Sequence, residues 1–308
     1  MGSQANRRIP RASRIGAAAL AAAALSLGGA PAGATLLVYE PFDYPAGTVL
    51  ENVPATGLNL TGDYTAPGII AGFELRTGAP GLDYGALQGA PGAAGQRLTQ
   101  ATGTTAGTAV VSVDQDVAIA AGDAIFWSAL FTFDDSSNGN HLARITFVDD
   151  ATGDTVSFGE AGVGIRALRI EAATAATGGL VADGADLAFT SGQTLLLVGR
   201  YLNAPEADGD RLDLLVYDTA DADLLPGTFD AADPNAEHAF ALTGLDVDLA
   251  AIGSLVFTIR GSNNNFIDEL RVGTTYASVI PEPGTAALLG VGLLAVAARG
   301  RRAARAPR

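Results

Sequence analysis

The chain has 308 residues, enough for one large all-β domain or two smaller domains, and one domain is the starting expectation. It contains no cysteine and no lysine, which excludes disulfides and thiolate metal sites. The stretch 35–280 carries 9 arginines against 32 acidic residues, a formal charge of −23. So negative a field disfavours nucleic acid and anionic membranes as partners.

The first 34 residues have the pattern of a signal peptide. Four arginines precede the apolar run Ile15–Leu27, and small residues follow, with Ala32 and Ala34 forming a small-x-small cleavage site. The run is apolar on every side and too short to span a bilayer, which argues against an amphipathic helix of the fold. The Arg7-Arg8 pair suggests an alternative route that exports the protein in the folded state. The hydrophobic sequence expected after such a pair is missing. We predict an N-terminal signal helix in residues 1–34 that signal peptidase removes after Ala34.

Segments of strand composition follow at regular spacing with turn signals between them, and together they predict a β-sandwich. In Ile125–Phe133 the alternation is imperfect, since Phe131 and Phe133 share one face and Ser128 and Thr132 share the other. This pattern predicts a mostly buried, central strand. The predicted strands are Leu36–Tyr39, Ala109–Val113, Ile125–Phe133, Leu142–Val148, Thr155–Phe158, Val163–Glu171, Thr194–Leu202, Leu212–Asp218, Ser254–Arg260 and Phe266–Val272.

The strand Leu212–Asp218 also gives a mixed pattern, because polar Asp213 and apolar Leu215 lie on one face. The pattern therefore predicts a strand here but does not indicate which of its two faces is buried. No internal repeat or charged linker divides the middle of the chain, so residues 35–278 are predicted to form one domain. Stretches rich in Gly, Pro, Asp and Ala are predicted as loops that cap the sandwich, namely Gly78–Gly95, Ala172–Ala185 and Pro226–Glu237.

Two acidic sequences are candidates for chemistry. Asp208–Asp213 is similar to a calcium loop, but it lacks the later bidentate Glu and carries Arg211 where an oxygen ligand is needed. We interpret it as a solvated acidic turn. Asp268 and Glu269 are adjacent, which places their side chains on opposite faces of a strand rather than across a cleft.

The remaining candidates also favour ordinary structural roles. His141 and His238 lie far apart, and without cysteine they make neither a metal site nor the base for a nucleophile. Asn263–Asn265 precede a strand, where asparagine clusters usually form turns, although their carbonyl oxygens also suit calcium or sugar. We therefore predict no catalytic, cofactor-binding or metal-ligating residue.

The last segment, residues 279–308, carries the most specific pattern in the sequence. The motif Pro281, Glu282 and Pro283 is followed by the uncharged apolar stretch Gly284–Ala298. The prolines keep the preceding chain extended. A protease could therefore bind this segment as a strand added to one of its own sheets. The apolar stretch predicts a C-terminal hydrophobic helix, shorter than a comfortable span and inserted transiently in the inner membrane. Its cytoplasmic stop is the basic cluster Arg299, Arg301 and Arg302.

This order of proline motif, apolar helix and basic end resembles the PEP-CTERM sorting signal. The resemblance implies an exosortase as partner, a membrane protease that removes the tail so that the mature protein is released or attached to the extracellular matrix. The valine typical before the motif stands here at Val279, with Ile280 intervening. The alternative is an ordinary C-terminal membrane anchor.

Four short sequences in the middle of the chain resemble landmarks of concanavalin A-like, laminin-G-like jelly-roll domains of exported bacterial proteins. The resemblance implies that the region of Phe42–Tyr44 pairs with a closing strand at Asp268–Arg271, which joins the ends of the domain and leaves the sorting tail free. The landmarks are Glu40–Gly47, Phe126–Ser128, Leu196–Arg200 and Ile267–Thr274.

These patterns predict a noncatalytic protein that is exported through the inner membrane and reaches the cell surface or extracellular matrix, where exopolysaccharide is the expected partner. The alternative is a carbohydrate-active hydrolase on the same scaffold, which needs two facing carboxylates and aromatic subsites. Trp127, the single tryptophan, lies on a strand predicted to be buried, which counts against such subsites. No cofactor is expected, although structural calcium is a hypothesis for an acidic exported jelly roll.

Overall fold

A computed structural model gives the fold of the chain. The chain divides into two units, residues 1–34 and 35–308, and every described residue except Ala34 belongs to the second unit. The structure describes residues 34–65, 75–78, 81–82, 96–100, 108–133, 142–161, 167–186, 192–205, 209–221, 225, 228–247, 249–260 and 265–280.

The first sheet is antiparallel and has the strand order β13-β12-β11-β6-β15-β4-β3, with β1 also paired to β15. The β6 strand lies between β11 and β15, which confirms that the predicted strand around Trp127 is central. The strands of this sheet are β1 (Leu36–Glu40), β3 (Leu75–Gly78), β4 (Arg97–Gln100), β6 (Ala124–Thr132), β11 (Thr194–Leu202), β12 (Asp210–Asp218), β13 (His238–Leu245) and β15 (Phe266–Gly273).

The second sheet is also antiparallel, with the order β10-β9-β8-β7-β14-β5-β2. The chain crosses repeatedly between the sheets, for example from β5 to β6 to β7 and from β13 to β14 to β15, as in a jelly roll. Its strands are β2 (Leu60–Thr65), β5 (Thr108–Ala118), β7 (Leu142–Val148), β8 (Thr155–Ala161), β9 (Ala167–Thr174), β10 (Gly179–Asp186) and β14 (Ala251–Arg260). The predicted all-β sandwich is thereby confirmed.

The first and last strands are neighbours, as the jelly-roll resemblance implies, but β1 ends at Glu40, so Phe42–Tyr44 follow the paired strand instead of forming it. Leu36 lies opposite Gly273 and Glu40 lies opposite Leu270 in the β1–β15 pair. The carboxylate of Glu40 is buried and accepts hydrogen bonds from the Tyr64 hydroxyl at 2.6 Å and from the Phe42 amide at 2.6 Å. Burial raises the pKa of Glu40, because the charged carboxylate loses contact with water.

The core between the sheets is built around aromatic side chains. Trp127 on β6 stacks on Phe158 of β8 with ring centroids 3.5 Å apart, and Phe147 meets the Trp127 ring edge-on. Both Trp127 and Phe158 are fully buried. Gly199 on β11 lies opposite Trp127, and a Cβ atom at this position would overlap the indole ring. Only glycine therefore leaves room for Trp127, which ties the two sheets together.

A second apolar cluster lies on the outer side of the first sheet. It is covered by part of the segment between β12 and β13, and by a short helix, α1 (Tyr276–Val279), that follows β15. This cover explains the mixed patterns in the sequence, since Leu215 on β12 and Leu130 on β6 are buried on the outer side. The members of the second cluster are Leu82, Leu130, Leu196, Val198, Leu215, Tyr217, Leu225, Phe266 and Tyr276.

The sequence-based strands agree with the structure except in the weakest segments. The prediction of a loop over Ala172–Ala185 is wrong, because β9 continues to Thr174 and β10 (Gly179–Asp186) pairs with it along its whole length. The sequence GLVADGAD of β10 is rich in glycine and aspartate, so its backbone pairing overrides a turn-like composition. Strands β2, β3, β4 and β13 were also not predicted. The predicted terminal helices lie outside the described residues.

Candidate functional site

The outer side of the second sheet carries a shallow groove of about 360 Å³. Successive side chains of a strand point to opposite faces. Since Ile145 and Phe147 of β7 are buried in the core, Arg144 and Thr146 face outward. We call this groove the open face. It is lined by Arg144, Thr146, Thr155, Ser157, Glu171, Ala173, Val256 and Thr258.

Strand register brings the polar groups of the open face together. The guanidinium of Arg144 donates to Glu171 at 3.1 Å, and Arg169 lies 3.9 Å from the same carboxylate. The hydroxyls of Thr146 and Ser157, directly opposite each other in the β7–β8 pair, are 2.9 Å apart. The Arg144 and Glu171 side chains are 31% and 16% exposed, so solvent screens the pair and its contribution to stability is small.

The open face offers hydrogen-bonding groups rather than an acid–base pair. Hydroxyl, guanidinium and carboxylate groups provide donors and acceptors that suit a polyhydroxylated ligand. Hydrolysis of a glycosidic bond needs two carboxyl groups flanking the bond. Glu171 is the one carboxylate among the described residues that line this groove.

The outer side of the first sheet differs, because its carboxylate Asp213 is buried and paired with two arginines. Asp213 of β12 is 1% exposed and accepts from Arg200 at 2.6 Å and from Arg211 at 2.7 Å. The Arg200 guanidinium also lies over the Phe229 ring, 4.9 Å from its centroid. We call this surface, with the second apolar cluster, the closed face.

The prediction of a solvated acidic turn at Asp208–Asp213 is wrong for the described residues. Asp210 and Asp213 lie on β12 and are buried. The carboxylate of Asp210 accepts hydrogen bonds from the Tyr201 hydroxyl and, at 2.9 Å, from the Ala204 amide. Sequence spacing did not reveal these partners, because they come from the preceding strand and loop. Asp210 also lines a pocket of about 560 Å³ at one end of the sandwich.

The prediction that Asp268 and Glu269 face opposite sides of a strand is also wrong. A β-bulge interrupts β15 between Asp268 and Arg271, and Glu269 has a φ of 52°. Glu269 consequently accepts from Tyr39 at 2.9 Å and from Arg271 at 3.2 Å on the outer side of the sheet. Asp268 lies close by and accepts from the Leu82 amide at 2.7 Å.

The environment of Asp268 is strongly perturbed. Burial, with an added contribution from the neighbouring Glu269 charge, raises the pKa of Asp268 to about 8. Its two oxygens accept from the backbone amides of Leu82 and Glu269. Both carboxylates of the bulge are thus bound by groups of the protein, and Asp268 holds Leu82 on the outer side of the first sheet.

Most of the predicted sorting and cleavage residues fall outside the described part of the chain. These are Ala32, Pro281, Glu282, Pro283, Arg299, Arg301 and Arg302. Ala34 is described and precedes β1, and cleavage after it stays a prediction. In the described part of the chain, no helix has the length and apolar character needed to cross a membrane.

The structure places the remaining candidates apart from one another. His238 begins β13 and stacks with Phe240, whereas His141 lies outside the described residues. Asn265 donates to the Arg260 carbonyl at 2.9 Å, a contact typical of a turn, while Asn263 and Asn264 are also outside that range. Among the described residues there is no group of three or more His, Asp or Glu side chains arranged to hold a metal ion.

The fold and the polar groove define the class of the domain: an antiparallel jelly-roll β-sandwich with one closed and one open face. The PEP-CTERM protein-sorting motif matches residues 279–302. This match indicates an exported protein that an exosortase sorts, with transient membrane anchoring before display at the cell surface. No curated protein matches the sequence.

Several solved structures are similar to this chain at low identity. A protein of unknown function from Shewanella oneidensis MR-1 has a TM-score of 0.41 and 13% identity, and the match covers 90% of this chain and 100% of that one. For lectin II from Ulex europaeus the TM-score is 0.39 and the identity 9%, with coverage of 77% and 98%. The CBM2 module of the evolved Dit protein of Lactobacillus casei BL23 phage J-1 has a TM-score of 0.39 and 10% identity, and the match covers 68% of this chain and 92% of that one. The fold assignment rests on the sheet order itself.

Sequence reasoning missed the groups that form the open face and the short segment after β15. Arg144 and Glu171 are far apart in sequence, and only the pairing of β7, β8 and β9 brings them together. The segment after β15 did carry a signal: Tyr276, Val279 and Ile280 have the spacing of one helix face.

Proposed function

We propose that this chain is a noncatalytic surface or extracellular-matrix protein, which an exosortase sorts and cleaves and which associates with exopolysaccharide through the open face. The observation that carries the proposal is the sorting motif at residues 279–302, since it directs the domain to the cell exterior. Signal peptidase acts first, on residues 1–34, and the mature protein is the β-sandwich.

The open face supports a polysaccharide as the ligand. Its lining presents the hydroxyls of Thr146, Ser157 and Thr258 together with the guanidinium of Arg144 and the carboxylate of Glu171, a set of donors and acceptors that complements sugar hydroxyls. A formal charge of −23 over residues 35–280 repels acidic polymers. A neutral polysaccharide is therefore the ligand class that fits the domain.

The same groove supports binding rather than hydrolysis. Among its described lining residues it has one carboxylate, Glu171, and no aromatic side chain that provides a stacking subsite. Binding to a long polymer compensates for a weak single groove, because many copies of the protein on one matrix act together. Incubating the mature protein with the exopolysaccharide of its host and measuring reducing ends separates the two functions. Release of reducing ends would establish the hydrolase instead.

The sorting step is tested in the host with a variant in which Pro281, Glu282 and Pro283 are replaced by alanine. We expect wild-type protein to lose mass at both ends and to leave the membrane fraction, and the variant to remain there with its tail. A control with alanine at Arg305, beyond the matched residues, should be processed like wild type. A wild-type tail that stays uncut in the membrane would mean a permanent anchor and would remove the basis of the matrix role.

Structural calcium is a separate hypothesis with its own test. Asp210 and Asp213, the described acidic residues of the calcium-like sequence, are bound to Tyr201, Arg200 and Arg211. A rise in the melting temperature of the mature protein on adding calcium, reversed by chelator, would support a structural ion. An unchanged melting temperature would end the hypothesis.

A further inference from the structure

The segment that follows β15 is packed onto the domain as a strap. We define the strap as Thr275–Ile280, which includes α1. Its turn is closed by hydrogen bonds from the Ser278 amide to the Thr275 carbonyl at 3.1 Å and from the Ile280 amide to the Tyr276 carbonyl at 3.2 Å. The Ser278 hydroxyl donates to the Thr275 carbonyl at 2.6 Å. The strap is thus a formed element and not an extended leader to the tail.

The strap docks on the closed face through both apolar and polar contacts. Tyr276 and Val279 are 5% and 0% exposed, and Ile280 packs against the second apolar cluster. The Tyr276 ring meets Phe229 edge-on with centroids 5.9 Å apart. The hydroxyl of Ser128, in the middle of β6, donates to the Val279 carbonyl at 2.6 Å in a buried position. Side chain and backbone of Val279 are therefore both held by the sandwich.

The sorting motif begins inside this docked element. The matched stretch starts at Val279, and Pro281 is the second residue after it. The expectation that the tail leaves the domain freely therefore needs correction at Val279 and Ile280. A protease that binds its substrate as an added strand needs extended backbone at the bond that it cuts. In the folded protein, Tyr276–Val279 is instead helical and its Val279 carbonyl accepts from Ser128, whereas Ile280, which follows the helix, is extended with φ −77° and ψ 129°.

We infer that the sorting protease cuts at the Ile280–Pro281 bond or beyond it, so that the strap stays on the mature protein as the closing element of the sandwich. This inference rests on the proposed exosortase sorting. Loss of the strap would remove Tyr276 and the packing of Ile280 from the second cluster and so expose part of its apolar surface, and soluble proteins rarely expose large apolar patches. The docked strap thus limits which bonds the protease reaches once the domain has folded.

The test is the C-terminal sequence of the full-length protein after processing in its own host. The released chain is purified, its intact mass is measured and its C-terminal peptide is sequenced. We expect a peptide that contains Tyr276–Ile280. A released chain that ends before Ile280 would overturn the inference and leave sorting intact. A chain that keeps its tail would overturn both sorting and the inference.

A pair of variants tests whether docking sets the position of the cut. Ser128→Ala removes the donor to the Val279 carbonyl without changing any residue of the motif. Thr132→Val removes a hydroxyl from the same face of β6, where it contacts Thr194 at 3.1 Å and not the strap. We expect Ser128→Ala to speed hydrogen exchange of the Ile280 amide about tenfold and to add released chains that end within 275–280. Thr132→Val should match wild type. Identical exchange and identical ends in both variants would overturn the role of docking.

Discussion

The two outer faces of the sandwich have the same strand geometry and opposite surroundings. On the closed face, outward side chains such as Leu215 and Val198 are covered by the strap and by Phe229, and the buried carboxylate of Asp213 is held by two arginines. On the open face, the outward side chains are mainly hydroxyls and the partly exposed Glu171 with its two arginine partners, Arg144 and Arg169. The alternation of side chains along a strand therefore tells which residues face the core and which face outward. Whether the outward residues are buried or exposed depends on the segments that pack over the sheet.

This difference assigns separate tasks to the two faces. The closed face holds the end of the domain from which the sorting tail continues, because Val279 is buried there. The open face presents the partly exposed side chains of Arg144 and Glu171, and we propose that they contact the ligand. Changes to the shared core should damage both faces, whereas changes to one face should leave the other intact.

Removing the core contact that both faces share should have the largest effect. Trp127→Ala leaves a cavity against Phe158 and should lower the free energy of unfolding by about 3 to 5 kcal/mol. Urea unfolding of the mature protein followed by circular dichroism measures this loss. A loss below about 1 kcal/mol would show that the stacked pair does not tie the sheets together.

A smaller effect is expected when only the closed face is weakened. Val279→Ala removes two buried methyl groups and should lower the free energy of unfolding by about 2 kcal/mol. Val181→Ala is the matched control, because Val181 is 49% exposed on β10 and its loss should change stability by less than about 0.5 kcal/mol. Equal effects of the two substitutions, measured by thermal unfolding, would mean that the strap is not docked.

The bulge on β15 makes the closed face sensitive to pH. In the folded chain Asp268 keeps its proton up to about pH 8, whereas in the unfolded chain it releases the proton near its ordinary pKa of 3.8. The folded state binds more protons between these values, so this contribution to stability is full below about pH 4 and is lost as the pH rises toward 8.

Asp268→Asn should therefore flatten the fall in stability between pH 4 and pH 8. The burial of Glu40 raises its pKa in the same direction, so part of the slope should remain. Urea unfolding at several pH values compares the slopes, independently of the absolute stability of the variant. Parallel curves for variant and wild type would contradict the assigned state of Asp268.

Sequence patterns predicted strands well where aromatic and β-branched residues are frequent. They failed where residues distant in sequence cover the outer side of a sheet. The segment Ile125–Phe133 was recognised as a central strand, because its aromatic residues mark it clearly. The buried face of Leu212–Asp218 was not predictable, since the cover of Leu215 comes from residues far away in sequence. The glycine-rich β10 looked like a loop because backbone pairing, rather than side-chain composition, forms it.

The candidate site was less predictable than the fold. No motif marks Arg144 or Glu171, and they meet only through the registers of three strands. The bulge at Glu269 likewise has no glycine to announce it, although its φ is positive. The sorting motif was predictable, because its residues act as a linear sequence and do not depend on the fold.

The most direct test of the account is binding of the processed protein to exopolysaccharide purified from its host, measured by co-sedimentation. We compare Arg144→Ala on the open face with Arg211→Ala on the closed face, two substitutions of the same kind. We expect binding by wild type, unchanged binding by Arg211→Ala, and about tenfold weaker binding by Arg144→Ala through loss of a charged hydrogen-bond donor worth about 1.5 kcal/mol. Absence of binding by wild type, or equal binding by both variants, would contradict a role for the open face.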